Sequence, residues 1–346
     1  MRLCVILLWQ FWKGLIKMLN YLRELIKIQS VSGSEEKIAL YIKSEMGKYF
    51  DDCKIDAMGN LICHKAGEGK KLLFCAHMHE IGFIVTTVDD KGFIHFAPIG
   101  GIDFVAAAYS KVVFANGVRG IMVPEEGLKS DDFKAEKFIV DIGAKDKKQA
   151  ERLVKTGDTF AVEPSYTRLR GSRICGRPID DKIACAILMA AARDAKSFKN
   201  DITFVFSVQE EVGIRGSKVA AFSCRPDYGI AIDVTATGDG HGSKPMAVSL
   251  GGGAAVKIKD ASVICDGALV KKMGEIADDE GIKWQREVLT AGGTDTASIQ
   301  MAAAGCKVGA ISVPTRYIHT ANEQIDTNDA EACLALVVAL AKTKLA

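Results

Sequence analysis

No C-x-x-C pair occurs among the ten cysteines (Cys4, Cys53, Cys63, Cys75, Cys175, Cys185, Cys224, Cys265, Cys306 and Cys333), which argues against a structural zinc site or a thioredoxin-like motif. Several lie inside apolar runs, such as Cys75 in LLFCAH and Cys185 in IACAILM. They read as small buried residues of a reduced, cytosolic protein rather than as a disulfide framework. Blocks of one charge are also missing. With 45 basic and 43 acidic residues the net charge is +2, so nucleic acid is not expected as a partner. Nor is there a run of the ~20 apolar residues that span a bilayer, so no membrane partner is expected. The opening MRLCVILLWQFWKGLIK imitates a signal peptide, but its apolar run is short, Gln10 interrupts it, and no small-x-small cleavage site follows. We read Met18 as the native start and residues 1–17 as a non-native extension, with a short membrane-surface helix as the alternative.

The 346 residues suggest roughly two domains of about 100–200 residues each. Residues 18–29 and 35–49 show helical spacing of apolar residues, with Ser32 or Ser34 as cap candidates between them. IDAMGNLICHK (55–65) reads as two short strands around a turn, and KLLFCAHMH (71–79) as a buried strand. From 82 to 172 the texture is one of short β-rich runs separated by Gly, Asn and Asp, with one helical piece, KDKKQAERLVK; this predicts a small β-barrel or sandwich. From 173 the rhythm returns to strand–helix alternation: a helix in DDKIACAILMAAARDA, strands in ITFVFSVQEE and YGIAIDVT, a helix near 265–281, a strand in KVGAISVP and a terminal helix in DAEACLALVVALAKTK. The expected fold is α/β, a mixed sheet flanked by helices (18–81 and 173–346), with a β-rich domain (82–172) inserted.

In such sheets function collects at strand ends. His77 and His79 follow LLFCA, Asp180-Asp181 precede a helix, Glu210-Glu211 follow ITFVFSVQ, Asp233 follows YGIAI, and His319 follows AISVPTRYI. Each has a plain structural explanation: a hydrogen-bonded histidine, a helix cap, solvated acids at a strand exit. Those explanations do not account for five strand ends carrying only His, Asp and Glu. These are the donors of a hydrolytic zinc, cobalt or manganese centre. Two metals about 3.5–4 Å apart need a bridging carboxylate plus terminal ligands, five in all, and the sequence supplies that number. In the Glu210-Glu211 pair one carboxylate can bind metal while the other accepts a proton from an acidified water.

AHMHEIGF, DDKIACAIL, VQEEVGIRGS, AIDVT, GGTDT and PTRYIHTANE, in this order, resemble the dinuclear aminopeptidases of metallopeptidase family 42, across nearly the whole chain from Met18. The resemblance implies two divalent cations (zinc first, cobalt or manganese as alternatives). It makes His77 and His319 terminal ligands, Asp180 the bridge, Glu211 and Asp233 carboxylate ligands, and Glu210 the general base. It further implies a cleft lined by Gly292-Gly293-Thr294-Asp295, peptide substrates with a free N-terminus, and a cytoplasmic setting. The 82–172 insert would be a dimerisation domain, with dimers able to form a tetrahedral dodecamer. One position departs from the family's His-x-Asp: residue 79 is His. We place His79 with the catalytic residues and expect that losing the aspartate beside His77 weakens metal retention or alters metal preference, with His79→Asp restoring it. Alternatives are a related two-metal amidohydrolase (carboxypeptidase or deacetylase), a catalytically weakened metal-binding scaffold, and, least, a glycosidase, whose paired carboxyls must flank one bond.

Overall fold

A computed structural model describes residues 2–345, with side chains from Gly14 onward. The expectation for residues 1–17 therefore falls largely outside the described side chains; the backbone there belongs to one helix, Arg2–Lys27, that passes through Met18 unbroken. No helix among the described residues is long and apolar enough to cross a membrane.

Four parallel strands form the centre of a large mixed sheet, in the order Asp201–Ser207, Lys71–His77, Tyr228–Thr235 and Lys307–Arg316. Being covered on both faces, they read as near-continuous apolar runs rather than alternating ones: every residue of Leu72–His77 is buried. The antiparallel hairpin Asp52–Ile55/Leu61–Lys65 extends one side of the sheet. Glu323–Asp326, Arg173–Arg177 and Ser165–Arg168 extend the other. Ala254–Lys259 and Trp284–Val288 branch from the long Lys307–Arg316 strand. The helix Lys182–Ala191 is buried at all ten positions, as its apolar circumference requires. It packs against the Arg2–Lys27 and Thr327–Lys342 helices and against the Lys71–His77 and Tyr228–Thr235 strands.

Between Ile81 and Pro164 the chain leaves this sheet. Six antiparallel strands, Gly82–Val88, Ile94–Ile99, Lys111–Phe114, Arg119–Pro124, Phe138–Asp141 and Thr159–Val162, close into a barrel, which removes every sheet edge. Its interior is aromatic: Phe160 stacks on Phe83 and touches Phe96 and Phe114, with ring centroids 5.0, 5.4 and 4.7 Å away.

Three local expectations are corrected. The helix foreseen in 145–155 is a single turn, Lys147–Ala150, capped by Asp146. Neither Ser32 nor Ser34 caps the Glu36–Met46 helix; Glu35 occupies the cap position and turns its carboxylate to the Gln209 N–H instead. The ITFVFSVQEE strand ends at Ser207, and Gln209 takes φ of 55°, so Glu210 and Glu211 stand on a tight turn. Phe160→Ala is expected to cost about 3–5 kcal/mol through the cavity it opens. Hydrogen exchange should then accelerate across the six barrel strands while protection of the Lys71–His77 strand is retained.

Candidate metal centre

All four central parallel strands end on one edge, and that edge carries the chemistry. His77 is the last residue of its strand, Asp233 lies two residues before the end of the next, Glu210-Glu211 follow Ser207, and His319 follows Arg316. Asp180 arrives from the side, just before the buried Lys182–Ala191 helix. Asp180 lies between the two histidines. Its Oδ1 is 3.1 Å from His77 Nε2 and its Oδ2 is 3.3 Å from His319 Nε2. His319 Nε2 is also 3.1 Å from Glu211 Oε1, and His77 Nε2 is 4.0 Å from Asp233 Oδ1. Two donor triads result, His77–Asp180–Asp233 and Asp180–Glu211–His319, sharing Asp180; a third grouping joins His77 to Glu210 and Glu211.

These residues fit a pair of cations on three grounds. Ligands bonded at about 2.0–2.1 Å around a tetrahedral ion sit roughly 3.3 Å apart, close to the spacings here. Both carboxylate oxygens of Asp181, a buried carboxylate that does not cap its helix, lack hydrogen-bond partners. The acids also outnumber the imidazoles. Burial alone would lower the pKa of His77, but the Asp180 hydrogen bond and the charges of Asp181 and Asp233 outweigh it and raise the group well above its ordinary value. His319 is likewise depressed by burial and lifted by Asp180 and Glu211, to about 11. Burial favours the neutral form of Asp180, yet the two histidines hold it well below the usual carboxylate range. Burial, with neighbouring carboxylates, pushes Glu210, Asp233 and Asp181 well up. Protons on the two imidazoles thus neutralise charge that cations would otherwise neutralise.

His77 Nδ1 donates to the carbonyl of His79 at 3.2 Å, which leaves Nε2 facing Asp180 and free to serve as a donor atom. That contact bears on the expectation for His79. The orienting acceptor is the backbone oxygen of residue 79, which any side chain would supply, so His79 in place of an aspartate does not unseat His77 by this route. The imidazole of His79 is fully buried, and its Nε2 accepts the N–H groups of Glu210 (2.9 Å) and Glu211 (3.3 Å). Burial and the nearby His77 keep it neutral, with a pKa well below the ordinary value. His79 thus lies beneath the Glu-Glu turn, outside both donor triads. Its Nδ1 points towards Glu35 Oε1, 3.7 Å away.

Several contributors were not singled out in the sequence. Glu323 accepts N–H groups from Ile179 (2.6 Å), Asp180 (3.1 Å) and His319 (3.1 Å), so one buried carboxylate fixes the backbone of both Asp180 and His319. Its position four residues after His319 was the available signal. Asp295 is not a cleft wall. It is buried and accepts Ser207 Oγ, Ser217 Oγ and Cys75 Sγ, tying two central strands to the Arg215–Cys224 helix, while Gly292 and Gly293 are exposed. Gly100, in the barrel loop, has φ of 86°, and a Cβ there would meet Ile81 at 2.5 Å and Glu211 at 3.3 Å; only glycine lets the loop come so near.

Adding Zn²⁺ to metal-free protein near pH 7 is expected to release protons. With its pKa raised to about 11, His319 is protonated there, and coordination requires the neutral ring. Affinity should accordingly fall as pH is lowered. Calorimetric titrations in buffers of differing ionisation enthalpy read the proton count directly, and a count of zero would remove this description of the site.

Comparison with known proteins identifies the family. Residues 59–336 match the family described as M42 glutamyl aminopeptidase. An aminopeptidase homologue in Acetivibrio thermocellus is 42% identical over 322 residues, 93% of this chain and 97% of the relative. An aminopeptidase of the archaeon Desulfurococcus kamchatkensis superposes with a TM-score of 0.91 at 28% identity, covering 96% of this chain and 95% of that one. The Pyrococcus horikoshii TET1 peptidase, described as able to assemble into a tetrahedron or a large octahedral shell, gives 0.84 at 34% identity, covering 94% and 99%. With four-fifths of its length inside the family match and its acids and histidines gathered on one sheet edge, this chain belongs to the M42 family of aminopeptidases.

Proposed function

We propose that the protein removes N-terminal residues from peptides bearing a free amino group, with Glu210 as the proton-transferring residue beside two divalent cations. The observation that carries this reading is the Asp180 carboxylate, one oxygen facing each histidine, which divides the donors into two sets with a shared member. His77 and Asp233 would complete one set, Glu211 and His319 the other. Zinc suits these nitrogen and oxygen donors best, and cobalt or manganese accept the same set. Bound cations would polarise the scissile carbonyl and bring the pKa of a water towards ~7. Glu210, part-buried on its turn and excluded from the shared bridge, takes up the proton and returns it to the leaving amine. Burial and neighbouring carboxylates raise its pKa well above the ordinary carboxylate value. His79 holds the backbone of that turn.

The same reading assigns the inserted segment 82–172, with its closed barrel, to dimerisation. It places the enzyme in the cytoplasm and takes dodecameric assembly as its oligomeric form, as the likeness to the TET1 peptidase suggests.

The deciding experiment is hydrolysis of a panel of aminoacyl-anilides after chelation and re-addition of Zn²⁺, Co²⁺ or Mn²⁺, with N-acetylated controls. Metal-dependent cleavage of the free-amine substrates alone is expected. Cleavage of the blocked substrates would point to another amidohydrolase, and silence from folded, metal-loaded protein would leave a scaffold. Glu210→Gln should lower kcat about 10²–10⁴-fold with metal content unchanged, as measured by elemental analysis alongside turnover. His79→Ala should lower kcat roughly 10–100-fold, while His79→Asp, which restores an acceptor under the turn, should recover most of the loss. Loss of metal in parallel with activity in His79→Ala would contradict the positioning role.

A further inference from the structure

The hairpin at the edge of the large sheet carries a feature unrelated to the metal centre. Cys53 and Cys63 stand directly opposite each other in the antiparallel pairing of Asp52–Ile55 with Leu61–Lys65. The Asp56 N–H donates to the Asn60 carbonyl at 3.0 Å, so those two form a hydrogen-bonded pair. Such pairs alternate along an antiparallel ladder, which makes Cys53 and Cys63 a non-hydrogen-bonded pair. Cα atoms there lie about 4.5 Å apart, within the ~4.4–6.8 Å that a disulfide spans. Both cysteines are free; Cys63 is buried under the Glu36–Met46 helix and Cys53 is half-buried at the rim. The two thiols interact: a hydrogen bond from Cys63 lowers the pKa of Cys53, against its burial, and the same contact together with burial raises that of Cys63. The accessible thiol is thus also the more acidic one.

We propose that Cys53 and Cys63 form a reversible intramolecular disulfide when the protein meets a low-molecular-weight disulfide such as oxidised glutathione. The Cys53 thiolate attacks one sulfur of the reagent, forming a mixed disulfide and expelling one glutathione thiolate. Cys63, losing its proton to solvent, then attacks the Cys53 sulfur and expels the second. Two protein thiols are oxidised, and one molecule of reagent is reduced to two thiols. The bond would close the hairpin around its tip, where Asn60 accepts the Val208 N–H (3.0 Å) and donates to the Gly216 carbonyl (3.0 Å). Val208 lies two residues before Glu210, so the stapled element is the one that clips the start of the Glu-Glu turn.

The test uses the full chain, incubated with oxidised glutathione, then denatured, alkylated and digested with trypsin. Cleavage after Lys48, Lys54 and Lys65 puts the two cysteines on separate peptides, 49–54 and 55–65. The expected product is these two peptides joined by a disulfide and separated by dithiothreitol, with Cys63→Ser instead retaining a glutathione adduct on Cys53. A wild-type product in which Cys53 keeps the adduct, joins a different cysteine, or remains alkylatable together with Cys63 would overturn the proposal. Circular dichroism of Cys63→Ser confirms that the control is folded.

Discussion

Everything at the sheet edge depends on how one carboxylate, Asp180, is held. It faces two imidazoles at once, in a place from which water is almost wholly excluded. A carboxylate so buried is tolerated only when opposite charge is close. The surrounding structure is arranged to keep it there: Glu323 receives the backbone N–H of Asp180 and of its neighbour, and Arg177 reaches Ile81 and Thr320 across the junction between sheet and barrel. The Lys182–Ala191 helix that begins just beyond is immobilised by burial on every side. Lys182 itself donates to Glu80 and to the Ile28 carbonyl, a second buried charge with its partners in place.

Around that centre the backbone takes uncommon conformations. Gln209, Ile214, Tyr317 and His319 all have φ between 54° and 64° without being glycine. Such residues persist where surrounding contacts over-determine them, and these four flank the Glu-Glu turn and the last histidine. Hydrogen bonds described above hold two of them and the turn itself: the N–H groups of Gln209 and His319 donate to Glu35 and Glu323, and those of Glu210 and Glu211 to His79. Turn geometry, rather than strand geometry, aims Glu210 and Glu211 separately.

Much of this was legible in the sequence because it rests on short-range pattern. The buried strands announced themselves as apolar runs, and the polar residues that ended them were the ones brought together, since parallel strands necessarily finish on a common edge. Less legible was what depends on distant partners. Nothing local in the stretch around Glu35 says that its carboxylate will serve Gln209, so Ser32 and Ser34 looked the better caps. Asp295, in a glycine-rich loop, resembled a cleft residue, and only the fold shows three side chains converging on it. Residue 79 is hard to read from sequence for the same reason, because backbone and side chain of one histidine serve two different neighbours. Lys147–Ala150 has helical composition, but it forms only a single turn capped by Asp146.

The candidate metal donors are scattered from position 77 to position 319, with the whole barrel threaded between the first and the second. Cations that drew them together would act as cross-links of very high contact order, joining pieces of chain that meet late in folding. Their binding free energy would then enter the unfolding equilibrium of the entire sheet, not of one loop. Kept from metal, the same chain must hold its clustered acids together with two imidazolium protons, so chelation and acidity press on one shared reserve of stability.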